Sequence, residues 1–188
     1  MKPSIVFVCF FVIAASSARS ASATAITPDG TWLQFVFDGG GPAVACSGLC
    51  VGTTNPVAAE APGPPWTFSG PATVTVLDLF LSLDTFELFD NLVSLGISST
   101  PIGDGECGGD IGCALADLNY SRLVIDLGAG AHSLTIRNVS GPAAGGSAVF
   151  QVASSATVPE PASLLLLTGA LAGVVLRRRG RACWRARP

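Results

Sequence analysis

A chain of 188 residues, 49% apolar and only 12% charged, holds one domain of ordinary size together with targeting segments. Its net charge of −3 hides a segregation: six of the ten Lys and Arg residues follow Leu176, whereas residues 24–158 carry twelve carboxylates against Arg122 and Arg137, a net of −10. Such a lysine-free acidic segment excludes nucleic-acid binding, which needs clustered Lys and Arg against phosphate, and suits a soluble domain that attracts divalent cations.

At the N-terminus Lys2 precedes an unbroken apolar run of eleven residues, Ile5 to Ala15. A helix of that length covers roughly 16 Å, well short of a hydrocarbon core of about 30 Å. With the small residues Ala21-Ser22-Ala23 behind it, the run predicts a secretory signal peptide over residues 1–23, cut by signal peptidase after Ala23, with Ala25 as the neighbouring alternative.

Residues 24–152 read as strands punctuated by Gly and Pro. The runs are Trp32–Phe37, Trp66–Phe68, Ala72–Leu79, Phe86–Phe89, Leu92–Ile97, Arg122–Leu127, Ser133–Val139 and Ala148–Val152. Alternation places Leu134, Ile136 and Asn138 on one face of their strand, and Val74 and Val76 opposite Thr73 and Thr75. Asp90-Asn91 between two runs predicts a tight hairpin, because both residues tolerate the backbone angles it requires. No stretch sustains a helical period. The expectation is an all-β fold, an antiparallel β-sandwich or jelly-roll ectodomain over 24–152, followed by a linker at 153–158.

Four cysteines remain once Cys9 leaves with the signal peptide and Cys183 is assigned to the C-terminal tail. In an exported chain they predict two local disulfides, Cys46–Cys50 and Cys107–Cys113, each closing a short Gly-containing loop; four cysteines allow three pairings, so crossed bridges stay open. Zinc is disfavoured, since the spacings are wrong for knuckles and His132 is the only histidine.

Chemistry is sparse. No Gly-x-Ser-x-Gly elbow occurs, and His132 stands in a turn before a strand, a poor candidate for a general base. Asp78, Asp84, Glu87 and Asp90 lie close in sequence, but nothing singles out the opposed carboxyl pair of a glycosidase. Asp104, Glu106 and Asp110, in a Gly-rich loop, are the calcium candidates, without an EF-hand pattern and against the simpler reading of solvated acidic loops. Trp32 and Trp66 serve either as core residues or as sugar platforms. The chain is expected to be no enzyme and to need no cofactor, calcium excepted.

The last thirty residues carry the most specific signal. Val158-Pro159-Glu160-Pro161 opens it, and Pro161 holds Glu160 in extended geometry. The uncharged run Ala162–Leu176 follows, fifteen residues or roughly 22 Å of helix, a short transmembrane segment. Arg177, Arg178, Arg179 and Arg181 then resist translocation and keep that end cytoplasmic. In this order, residues 159–188 resemble the PEP-CTERM sorting signal of bacterial surface proteins, read by a membrane protease of the exosortase family. The extra tail Ala182–Pro188 departs from the usual few basic residues.

Residues 65–152 also resemble the β-sandwich ectodomain common among PEP-CTERM proteins, whose pattern has glycine where Leu83 and Leu92 stand here. The resemblance implies export, transient anchoring in the inner membrane, and delivery to the cell surface or extracellular matrix. It also implies signal peptidase and an exosortase-type protease as partners, and association with exopolysaccharide and biofilm. A carbohydrate-binding module, calcium-dependent or not, is the alternative; a hydrolase acting through Asp84 or Asp104 ranks behind it.

Overall fold

Two long strands organise this molecule, and the shorter ones are arranged around them. The structure, a computed structural model, describes residues 22–141 and 145–155. In chain order the elements are β1 (Thr24–Ala25), β2 (Asp29–Asp38), β3 (Ala43–Val44), β4 (Ala59–Glu60), β5 (Trp66–Asp78), β6 (Thr85–Asp90), β7 (Val93–Ile97), α1 (Ile111–Ala116), β8 (Arg122–Ser140) and β9 (Gly145–Ser154). The apolar run Ile5–Ala15, the sorting residues Val158–Pro161, the run Ala162–Leu176 and Arg177, Arg178, Arg179 and Arg181 lie outside the described residues. Among the described residues, no helix is long and apolar enough to cross a membrane.

The all-β expectation holds, with one correction. Instead of two sheets, a single curled sheet runs in the order β3-β2-β9-β5-β8-β6-β7, with β1 added beside β5 and β4 beside β2, both parallel. The reason lies in glycines that look like turn punctuation. Gly70-Pro71 and Gly128-Ala129-Gly130 bend two strands without ending them, so Trp66–Phe68 joins Ala72–Leu77 in β5, and Arg122–Leu127 joins Ser133–Val139 in β8. Pro71 has no N–H for the ladder, and the β5–β8 register shifts between Gly70 and Ala72. Gly130 has φ +140°, and a Cβ on Gly70 would collide with the Gly128 carbonyl.

The sheet therefore folds back on itself along a spine at Gly70 and Gly128–Gly130. One leaf contains β2, β9 and the second half of β5; the other contains β6 and the second half of β8. The core lies between them. Phe35 and Phe37 of β2 meet Phe86 of β6 edge-on at centroid distances of 5.8 and 5.0 Å, and Trp66 packs on Phe150 at 4.4 Å. Such pairs add about 0.5–1.5 kcal/mol each beyond the area they bury. Leu134, Ile136, Val74 and Val76 complete this core, on the faces their alternation assigned.

The leaves also meet at the open margin opposite the spine. There Asn138 N–H donates to Gly41 O (2.9 Å), and Gly40 N–H donates to Asn138 Oδ1 (2.9 Å). The end of β9 lies at the spine instead: Ser154 N–H reaches Pro28 O and Ser155 N–H reaches Pro71 O. β9 runs from margin to spine, and its nine residue steps of about 3.3 Å put the two some 30 Å apart.

A second, smaller core forms outside the β2–β9–β5 leaf, where Trp32, Leu77 and Val149 pack under Ile111, Ala114 and Tyr120. Ile111 and Ala114 belong to α1, whose six residues are too few to show a helical period in sequence. Asp110 caps it, its Oδ1 accepting from Cys113 N–H at 2.8 Å. Tyr120 hydroxyl accepts from Cys107 N–H at 2.9 Å, and Gly105 leaves room for the Tyr120 ring.

Candidate functional site

At the open margin the strand ends leave a cavity of about 600 Å³. Its walls are mostly apolar: Val36 and Phe37 of β2, Val44 of β3, Leu49 in the loop closed by Cys46–Cys50, and Leu79 and Leu81 after β5. Asp84 reaches it from inside the protein, only 2% exposed, and Asp38 stands on its rim. Sequence proximity had grouped Asp84 with Asp78, Glu87 and Asp90; the fold separates these four into three environments.

Asp78 and Asp84 form the first. Asp78 is fully buried at the end of β5, where its Oδ1 accepts from Leu79 N–H (2.9 Å) and its Oδ2 from Asp84 N–H (3.1 Å). Burial, reinforced by the Asp84 charge, pushes its carboxyl up to about 8, although both N–H donors favour the ionised form. Burial also raises Asp84, against a hydrogen bond from Asn138 Nδ2 to its Oδ1 at 3.1 Å. Asn138 thus ties the buried carboxylate to Gly40 and Gly41 across the margin. A Cβ on Gly141 would collide with Asp84, so this residue must be small.

Glu87 occupies the second environment, on the outer surface. Its Oε1 accepts from Ser94 hydroxyl (2.7 Å) and its Oε2 from Arg137 Nη2 (2.7 Å), which hold it below the usual carboxylate range. Asp90 occupies the third, beside His132. His132 Nδ1 lies 2.8 Å from Asp90 Oδ2 and Nε2 lies 3.0 Å from Gly128 O, with the ring stacked on Phe68 at 5.2 Å. Burial pulls the imidazole down, but the Asp90 hydrogen bond, the Gly128 carbonyl and the Asp90 charge together raise it. With partners at both nitrogens, this ring is held in place near the spine and has no nitrogen free to serve as a base.

The remaining sequence candidates fall as follows. Both expected disulfides are present, Cys46–Cys50 and Cys107–Cys113, with Cα atoms 5.1 and 5.5 Å apart. The three calcium candidates do not converge: Asp104 and Glu106 are exposed, while Asp110 caps α1 and also accepts from Asn55 Nδ2 at 3.2 Å. Among the described residues no three His, Cys, Asp or Glu side chains gather as metal ligands would. Trp66 is fully buried and Trp32 is 7% exposed, so neither presents a ring for a sugar to stack on. Leu83 and Leu92, standing where glycine was noted, adopt φ of +84° and +68°, the left-handed geometry that glycine favours.

Sequence reasoning did not find the cavity. Its walls come from segments more than a hundred residues apart in the chain, since Val36 pairs with Ser147. One signal was present: Asn138 occupies a core-facing position in an alternating strand, and a buried amide needs polar partners.

Comparison with known families adds the C-terminal segment. The PEP-CTERM protein-sorting motif matches residues 157–179, from Thr157 through Arg179, leaving Arg181 and the last seven residues beyond it. The match supports an exported protein with a C-terminal sorting signal, processed by exosortase, a membrane protein. No curated protein and no solved structure gives a match to the chain.

Proposed function

We propose that this PEP-CTERM chain is a non-enzymatic surface or matrix protein, exported, held briefly in the inner membrane, and released near Pro159-Glu160-Pro161 into exopolysaccharide or biofilm material. The observation that carries the reading is the order of the tail: a proline-flanked glutamate, an apolar run and an arginine stop, coincident with the sorting motif at 157–179. The domain geometry fits it. Three residues separate Ser154, the end of β9, from Val158, a reach of about 14 Å. The tail follows Ser154, which lies at the spine, opposite the open margin. His132, with both ring nitrogens engaged by Asp90 and Gly128, fits display better than turnover.

Intact-mass measurement of protein released from cells tests the proposal. The expected species begins near Thr24 and ends near Glu160. Replacing Pro159-Glu160-Pro161 by three alanines leaves full-length protein in the membrane fraction; unchanged release from that variant refutes the sorting reading.

A further inference from the structure

The margin cavity lies at the opposite end of the domain from Ser154 and Ser155. Its volume of about 600 Å³ falls within the 300–1,000 Å³ typical of small-molecule sites. Its mouth is apolar as well: Leu49 is 71% exposed and Leu81 66%, side chains that water covers poorly. Two acidic groups face it, Asp84 in depth and Asp38 at the rim, and among the described residues no Lys, Arg or His lines it. Asp84 is the specific element. Its Oδ1 is occupied by Asn138, itself fixed by Gly40, whereas its Oδ2 has no hydrogen-bond partner among the described residues. Asp84 lines the cavity while only 2% exposed, so it is a nearly buried carboxylate held at the cavity wall by Asn138.

We infer that the cavity binds a small apolar molecule bearing a hydroxyl or amine, its body against Leu79, Leu81 and Leu49 and its donor on Asp84 Oδ2. Anionic amphiphiles are excluded. A carboxylate or sulfonate would meet Asp84 and Asp38 with no cation to balance it, inside a segment of net charge −10. A sugar is excluded too, since a lining of aliphatic side chains offers few partners for many hydroxyls. This inference goes beyond the proposed surface role and does not rest on it, because the cavity belongs to the ectodomain whether or not the tail is processed.

The test is photoaffinity labelling of the full chain in nonionic detergent. Three alkyl diazirines of one chain length are used, ending in a primary alcohol, a primary amine and a carboxylate. Adducts are located by peptide mass spectrometry and normalised to those on residues 162–176. The alcohol and amine probes should label peptides covering 44–51 and 79–84 at least fivefold more than the carboxylate probe. Leu49→Glu combined with Leu81→Glu should cut that labelling at least fivefold; both side chains are exposed, so the circular dichroism spectrum should not change. Asp84→Asn should narrow the preference among head groups at least twofold, the remainder being set by Asp38; an unchanged preference overturns the role of Asp84. Labelling without enrichment at these peptides, equal labelling by the carboxylate probe, or undiminished labelling of the rim variant overturns the inference. The rim variant decides the matter even if Asp84→Asn fails to fold.

Discussion

Asp78 makes this protein's stability fall as pH rises, the reverse of ordinary acid denaturation. The native carboxyl titrates near 8 and the unfolded one near 3.8. Between those values the unfolded chain is ionised while the native side chain keeps its proton. Each unit of pH then costs the native state about 1.4 kcal/mol. The stability tied to this proton is fully present below about pH 4 and lost as pH climbs through about 8, on the order of 6 kcal/mol in all. That is a large share of the 5–15 kcal/mol that holds a typical domain. Asp84 and His132 are also raised, so their contributions are likewise lost with rising pH; Asp29 and Glu87 are lowered and act in the opposite sense from the surface. Asp78→Asn removes the main titration but leaves one acceptor for two N–H donors, from Leu79 and Asp84, a loss of about 1–3 kcal/mol. The variant should be less stable than the native protein at pH 4 and more stable at pH 8, the curves crossing at about pH 4.5–6. Urea unfolding of the oxidised protein across pH 4–9 measures both. A native midpoint that stays level or rises over that range, or a variant with the native slope, refutes the account.

Two further outcomes follow from single residues. Leu92→Gly should stabilise the β6–β7 hairpin by about 0.5 kcal/mol in urea unfolding: Leu92 sits at φ +68° and is 86% exposed, so strain is relieved and no packing is lost. Because His132 is the sole histidine, its imidazole signal can be followed by NMR without assignment. Its midpoint should lie above 6.5 and fall in Asp90→Asn, and an unchanged midpoint would show that the 2.8 Å contact does not hold the ring.

What was legible in the sequence was whatever depends on neighbours along the chain. Alternation assigned Leu134, Ile136, Val74 and Val76 to the core because strand side chains alternate by sterics alone. The hairpin at Asp90-Asn91 and the two short disulfides are local for the same reason. The failures were of two kinds. Gly70-Pro71 and Gly128-Ala129-Gly130 carry the same residue types as a turn, and only the partner strand decides whether such a segment ends a strand or bends it. Asp78 and Asp84 look like any surface carboxylates until β9 covers the first, through pairing with Ala148, and Asn138 reaches the second from β8.

β9 is the element on which both halves of the functional reading depend. Its first residues, Gly145 to Ser147, line the margin cavity, and its last, Ser154, leads into the sorting tail at the spine. Its register is doubly fixed: Phe150 faces the main core opposite Leu33 and Val76, while Val149 faces the smaller core under α1. A slip of one residue would exchange those two faces, taking Phe150 out of its 4.4 Å contact with Trp66. The same slip would shift the cavity wall and the exit of the chain together. Packing on both faces of one strand therefore holds the margin cavity and the C-terminal end of β9 at a fixed separation.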